Sequence, residues 1–203
     1  MKKILVYILF LSIISTAATC HKPCNEPNYS FETGVKFSPE SDSLHVGDTI
    51  WITSSIPNPV LDNNSGKAII YENANWGSTL IISDILEFRD SNRGAVADFS
   101  YFAKTGSIYS MSGTDTMNVK QLSYQENISG YEFKIGIVAG KKGLYILTIP
   151  DNPYLFRKGN PKCGTANLVI LNQNNNKHVN LFEDKWGPLS SYDVSHCYCL
   201  KVY

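Results

Sequence analysis

Tyr131-Glu132-Phe133-Lys134-Ile135-Gly136-Ile137-Val138, then Ala139-Gly140-Lys141-Lys142-Gly143, then Leu144-Tyr145-Ile146-Leu147-Thr148-Ile149 is the stretch whose reading decides the fold. In the first run apolar and polar residues alternate, the period of a strand that buries one face. The second run is short and apolar, and Pro150 closes it. Two such runs around a Gly-bounded basic turn predict a β-hairpin.

The same period of two extends outward on both sides. Phe31, Thr33, Val35 and Phe37 alternate with polar partners until Ser38-Pro39 stops the run. Gly47-Asp48 is a turn signal before Thr49-Ile50-Trp51-Ile52-Thr53-Ser54, whose β-branched and aromatic content predicts a strand with Trp51 in the core. Lys67 to Tyr71 forms the next strand. Thr79 to Phe88 is apolar almost throughout, as in a strand buried on both faces, although its length also fits a helix. Ala95 to Ala103 reads as a strand, with a helical spacing of Val96, Phe99 and Phe102 as its rival. Thr105 to Met111, Met117 to Tyr124 and Leu168 to Leu171 add short strands. Asn172 to Lys177 is a polar loop, Val179 to Trp186 a short helix ended by Gly187-Pro188, and Val194 to Val202 a final strand. Many short strands with frequent turns and at most one or two short helices predict an all-β domain. An antiparallel β-sandwich, Ig-like or related, is the expected form.

The N-terminus carries an address. Lys2 and Lys3, an apolar run from Ile4 to Ile14, and Ser15-Thr16-Ala17-Ala18-Thr19 are the three parts of a secretory signal. The apolar run is shorter than the roughly 20 residues of a spanning helix. Ala17-Ala18-Thr19-Cys20 resembles a bacterial lipobox, with Ala17 where Leu is favoured and Thr19 where Gly, Ala or Ser is favoured. The expected organisation is a signal peptide over 1–19, a lipidated tether over 20–29 and one β-rich domain over 30–203. His21, where some lipoproteins carry Asp, resembles lipoproteins sent on to the outer membrane. Cleavage by ordinary signal peptidase after Ala18, leaving a soluble protein, is the alternative.

Cysteine parity supports lipidation at Cys20. The chain has five cysteines, Cys20, Cys24, Cys163, Cys197 and Cys199, and an oxidising compartment disfavours an odd thiol. Cys197 and Cys199 lie two apart, so in a strand they share a face but sit too far apart to bond each other easily. One is expected to reach Cys163 and the other Cys24, and the sequence leaves open which. A metal set of Cys24, Cys163, His196, Cys197 and Cys199 is the rival, but it lacks any CxxC or HxxxH pair.

Loss of the signal removes Lys2 and Lys3 and leaves two more acids than bases, so nothing equips the domain to neutralise nucleic-acid phosphates. There is no HExxH, G-x-S-x-G, P-loop or GxGxxG, and no cofactor is expected. Asp62-Asn63-Asn64-Ser65-Gly66 looks like the opening of a calcium loop but has Asn73 where a bidentate Glu belongs, so a turn is the better reading. Asp84, Glu87 and Asp90 read as solvated strand-edge charges. Trp76, in the polar stretch Asn73-Ala74-Asn75-Trp76-Gly77, is a candidate ligand contact for stacking on a sugar or a partner, with burial as a lid over the sandwich end the favoured reading.

The signal, Cys20 and Val46-Gly47-Asp48-Thr49-Ile50-Trp51-Ile52 together resemble the small exported lipoproteins common in Bacteroidota-type genomes. The resemblance implies an envelope location and a β fold, and it brings no catalytic residues. The expected function is therefore a membrane-anchored, non-enzymatic binding or scaffold module with a protein or glycan partner. An envelope hydrolase acting on polysaccharide or peptide, and a glycan-binding module, are the alternatives.

Overall fold

Strands dominate the computed structural model, which describes residues 27–88, 94–110, 119–158 and 165–203. In chain order they are β1 (Tyr29–Ser38), β2 (Ser43–Leu44), β3 (Thr49–Pro57), β4 (Val60–Asp62), β5 (Lys67–Ile69), β6 (Gly77–Asp84), β7 (Phe99–Thr105) and β8 (Ser107–Tyr109). There follow β9 (Val119–Ser123), β10 (Gln125–Asn127), β11 (Gly130–Ala139), β12 (Gly143–Thr148), β13 (Asn152–Leu155), β14 (Ala166–Asn172) and β15 (Cys197–Val202). Among the described residues these form a seven-stranded sheet, β10-β11-β3-β1-β14-β13 with β7 also on β11, and a six-stranded sheet, β2-β15-β12-β6-β9-β8. A short β4–β5 ribbon stands apart. The sandwich expected from the alternation is present, with two parallel pairs, β1 with β14 and β15 with β2, in otherwise antiparallel sheets.

The core follows from the alternation. Phe31, Val35 and Phe37 of β1, Ile50, Ile52 and Ile56 of β3, and Phe133, Ile135 and Ile137 of β11 point from one sheet. They meet Leu80 and Ile82 of β6, Tyr145 and Leu147 of β12, and Tyr198 and Leu200 of β15. All are buried, and each such side chain contributes on the order of 1.5–3 kcal/mol. Phe37 stacks on Tyr198 across the two sheets at 4.8 Å.

The hairpin expected from residues 131–149 does not form, although both of its strands do. β11 pairs with β3, β7 and β10, whereas β12 pairs with β6 and β15 in the other sheet. Residues 140–142 thus carry the chain from one sheet to the other. The reason lies in the end of β11: Ala139 N–H donates to the Asp48 carbonyl and its own carbonyl accepts from Gly47 N–H, so β3's approach turn occupies its edge. Both faces of β12 are buried, a sign that it belongs inside a layered structure.

Two further segments differ from expectation. Ala95 to Ala103 begins with a 3₁₀ turn, Val96–Asp98, before β7 starts at Phe99. The last strand starts at Cys197 instead of Val194, because Ser190 caps a helix over Ser191–His196 by accepting from Asp193 N–H at 3.1 Å. That helix is α2, and the expected helix α1 covers Asn180–Trp186 and ends at Gly187, where φ is +84°. α1 lays Phe182 over a second apolar cluster on the outer side of the six-stranded sheet, made by Ile85, Ile146, Cys197 and Cys199. Among the described residues no helix is long and apolar enough to cross a membrane.

Candidate functional site

Register across the neighbouring strands β1, β3, β11 and β7, with β10 beyond the end of β7, arranges the outward side chains of the seven-stranded sheet in transverse rows. Ser38, Trp51, Gly136 and Phe102 form one row. Lys36, Thr53, Lys134 and Thr105 form the next. Ser55, Glu132 and Gln125 form the third, with Gly34 beside Ser55. Two rows contain a glycine on which a neighbour lies flat. A Cβ on Gly136 would stand 2.5 Å from the Phe102 ring, and one on Gly34 would stand 1.9 Å from the Gln173 side chain.

Trp51 therefore faces outward and is only partly buried, contrary to the expectation that it lies in the core. Ile50 and Ile52 take the inward positions on either side of it, and a strand cannot turn three successive residues to one face. Phe102 meets the Trp51 ring edge-on at 5.1 Å. The ammoniums of Lys104 and Lys134 sit over the indole at 4.7 and 5.2 Å. Beside this aromatic block the sheet sinks into a pit of about 360 Å³. Gly34, Thr53 and Ser55 line its base, and Lys36, Lys134, Glu132, Thr105 and Gln173 also line it. A smaller hollow of about 220 Å³ continues from it, sharing Ser55 and Glu132. Among the described residues neither Lys36 nor Lys134 has a carboxylate within ion-pair distance. The arrangement offers two ammoniums, one carboxylate, hydroxyls and an amide to something entering from solvent.

Trp76, the ligand contact suggested by sequence, is in the core at 2% exposure. Its ring packs on Phe31, Tyr71 and Tyr131, and Nε1–H donates to the Tyr71 carbonyl at 3.3 Å. Tyr131 donates to the same carbonyl at 2.9 Å, and burial pushes its hydroxyl up to about 12. The sugar-stacking role assigned to Trp76 is accordingly corrected to a structural one.

The cysteines divide. Cys20, Cys24 and Cys163 lie outside the described residues. Cys197 and Cys199 share a face, as the strand period requires, but both are free thiols at 0% exposure beneath α1, which corrects the expectation that one reaches Cys163 and the other Cys24. Their side chains hydrogen-bond: the contact with Cys199 lowers the Cys197 thiol, and the same contact, reinforced by burial, raises Cys199. Among the described residues no group of three His, Cys, Asp or Glu converges as a metal set would.

Asp62, the head of the calcium-like stretch, turns its carboxylate onto its own chain. It accepts from Ser30 N–H at 2.8 Å, from Ser65 N–H at 3.0 Å and from the Ser65 hydroxyl at 2.6 Å. Burial pushes its pKa up, but these hydrogen bonds outweigh it and hold the group below the usual carboxylate value. Asp84 likewise caps its own turn by accepting from Leu86 N–H at 2.8 Å, while Asp90 lies outside the described residues.

A serine, a histidine and an aspartate meet where no motif announced them. Ser195 Oγ stands 2.8 Å from His196 Nδ1, and His196 Nε2 stands 3.0 Å from Asp151 Oδ1. The geometry nevertheless blocks triad chemistry. The Tyr192 carbonyl lies 2.6 Å from the same Nδ1 and can only accept, so Nδ1 must carry a proton. The Ser195 hydroxyl also donates to that carbonyl, at 2.7 Å. A nitrogen already protonated cannot take the serine proton. Asp151 further accepts from Ile170 N–H at 2.8 Å, so the cluster ties α2 to the segment before β13 and to β14.

No protein-family model matches the chain, and no curated protein does. Among solved structures it is similar to the human F-spondin reeler domain in two crystal fragments. One is 13% identical with a TM-score of 0.40, covering 90% of this chain and 96% of that one. The other is 12% identical at the same TM-score, covering 90% and 94%. The Reelin-N domain of F-spondin is 11% identical with a TM-score of 0.38, covering 89% and 92%. At these identities the likeness concerns the β-rich fold alone.

Proposed function

We propose that the chain is a lipid-anchored, non-enzymatic binding module of the bacterial outer membrane, with its ligand surface on the outer face of the seven-stranded sheet. The observation that carries this reading is the solvent-open pit, whose two lysines have no ion-pair partner among the described residues, beside a braced aromatic block. A fold needs no such arrangement there, since unpaired charges on a sheet face contribute little to stability. The anchor rests on the sequence: residues 1–19 direct export, Cys20 takes the lipid, and the tether runs to β1. Multiple acyl chains, at about 0.8 kcal/mol per buried CH₂, would hold the domain firmly.

Export also implies an oxidising compartment, in which Cys24 and Cys163 are the pair available for a disulfide. Cys197 and Cys199 are free and enclosed under α1. Cys24 precedes Tyr29 and Cys163 precedes Ala166, which are register partners at the start of the parallel pair β1 and β14. Peptide mapping without reductant is expected to find Cys24 joined to Cys163 and the other two thiols unmodified.

The experiment on the main reading has two arms. Labelled palmitate is expected to mark the wild-type chain and not Cys20→Ser, which should be released from membranes. Thr53→Arg, which fills the pit from its base, is expected to abolish capture of envelope extract components without altering the melting temperature. Unlabelled wild-type protein refutes the anchor, and undiminished capture by Thr53→Arg refutes the binding face.

A further inference from the structure

We infer that the pit on the seven-stranded sheet recognises a singly charged acidic sugar, a uronic acid unit of a polysaccharide, by its carboxylate. This deepens the binding-face reading proposed above and rests on it. Lys36 and Lys134 lie on either side of Thr53 in one transverse row, two strand spacings or about 9.5 Å apart at Cα. Lys36 and Lys134 flank Thr53 in the row, with the Lys134 ammonium over the neighbouring Trp51 ring, and an anion entering between the two side chains would be contacted from two sides. Lys134 is partly ordered already, because its ammonium rests on the Trp51 ring, which lowers the entropy lost on binding.

Charge count narrows the anion. Glu132 lines the same pit, so the two lysines and one glutamate leave a single positive charge for the ligand to match. A polysulfate or a phosphate cluster would bring several like charges against Glu132, whereas one carboxylate per ring brings a single one that the two lysines offset. The remaining lining suits a polyol: Ser55 and Thr105 donate or accept, Gln173 does both, and Glu132 accepts from hydroxyls. Phe133, the large apolar side chain among the described residues that line the pit, is buried at 2% exposure with its ring on Tyr124 at 4.6 Å, so the apolar contact open to a ligand is the aromatic block at the rim. A pit of about 360 Å³ is within the usual range for small-ligand sites.

The test is calorimetry on the full chain in mild detergent, with trimers of galacturonic, glucuronic and mannuronic acid as probes. At least one is expected to bind, and Lys36→Gln and Lys134→Gln are each expected to weaken it about tenfold. Lys185→Gln, on helix α1 over the other sheet, is expected to leave affinity unchanged. Reducing the trimer's carboxyls to alcohols should remove most of the affinity, and a glutamate hexapeptide should not compete.

Equal binding of acid and reduced trimers, with the Thr53 and Ser55 amide resonances shifting in both, overturns the carboxylate and keeps the binding face. The hexapeptide competing through the same two lysines overturns the sugar in favour of an acidic peptide. If none of the probes shifts those resonances, the acidic ligand is refuted, while the binding face stands or falls separately on capture by Thr53→Arg.

Discussion

Asp62 accepts from Ser30 across a gap of 32 residues and from its own turn, so one carboxylate pins the β4 end to the start of β1. Asp62→Asn keeps the shape and loses the charge, and a cost of about 1–2 kcal/mol at neutral pH is expected. The folded pKa lies below the unfolded value of about 3.9. Its contribution is therefore complete above that value and lost as pH falls through the folded one. Denaturant titrations should show the wild-type and Asn curves converging below about pH 4. His196 makes a second such tie, and His196→Ala is expected to cost about 2–3 kcal/mol because it removes one hydrogen bond from Asp151 and one from the Tyr192 carbonyl and empties the space of a buried ring. Ser195→Ala, by contrast, should leave stability within about 1 kcal/mol, which a thermal melt will read. Trp51 and Trp76 show how far single residues were legible. The alternation that puts Ile50 and Ile52 inside was enough to place Trp51 outside, and that signal was present in the sequence. No local pattern reveals that Asn73–Gly77 folds back, because Trp76 is buried by Phe31 and Tyr131, 45 and 55 residues away.

Among elements, α1 is the lid of the second apolar cluster, and Phe182 is its main contact with Cys197, Cys199, Ile85 and Ile146. Phe182→Ala is expected to cost about 3–4 kcal/mol and to open the two thiols to solvent. Maleimide should label Cys197 in that variant under native conditions and label neither thiol in the wild type; equal labelling would show that α1 is not the barrier. The strands were legible because short runs with period two or continuous apolarity leave few other readings, as β1, β3, β6 and β11 illustrate. Partnership between strands was not. β11 and β12 carry every local mark of a hairpin, yet Ala139 is claimed by the Gly47–Asp48 turn, which lies some 90 residues earlier in the chain. The candidate site was invisible for the same reason: Lys36, Thr53, Lys134 and Gln173 become neighbours only once register is known. Helix α2 hid inside an expected strand because only Ser190 and Asp193 mark its start.

At the scale of the molecule, β1 begins at the end of the sandwich that also carries the β4–β5 ribbon and the β10–β11 turn. Exposed Leu61, Ile70 and Ile128 stand at this end, with Ile128 fully accessible. A tether of nine residues from Cys20 to Tyr29 reaches at most about 30 Å, so an anchored domain would carry this end toward the lipid and its pit on the flank. β1 lies inside its sheet, with β3 on one side and β14 on the other, and β14 begins 128 residues after β1 ends. The first strand to leave the ribosome thus waits for nearly the last before its second edge is closed. Contacts of such long range slow folding, and a chain that cannot finish its architecture early stays threadable through a translocation pore. On the proposed reading of an exported chain, late closure of this kind would be an asset, since such a polypeptide is moved before it sets.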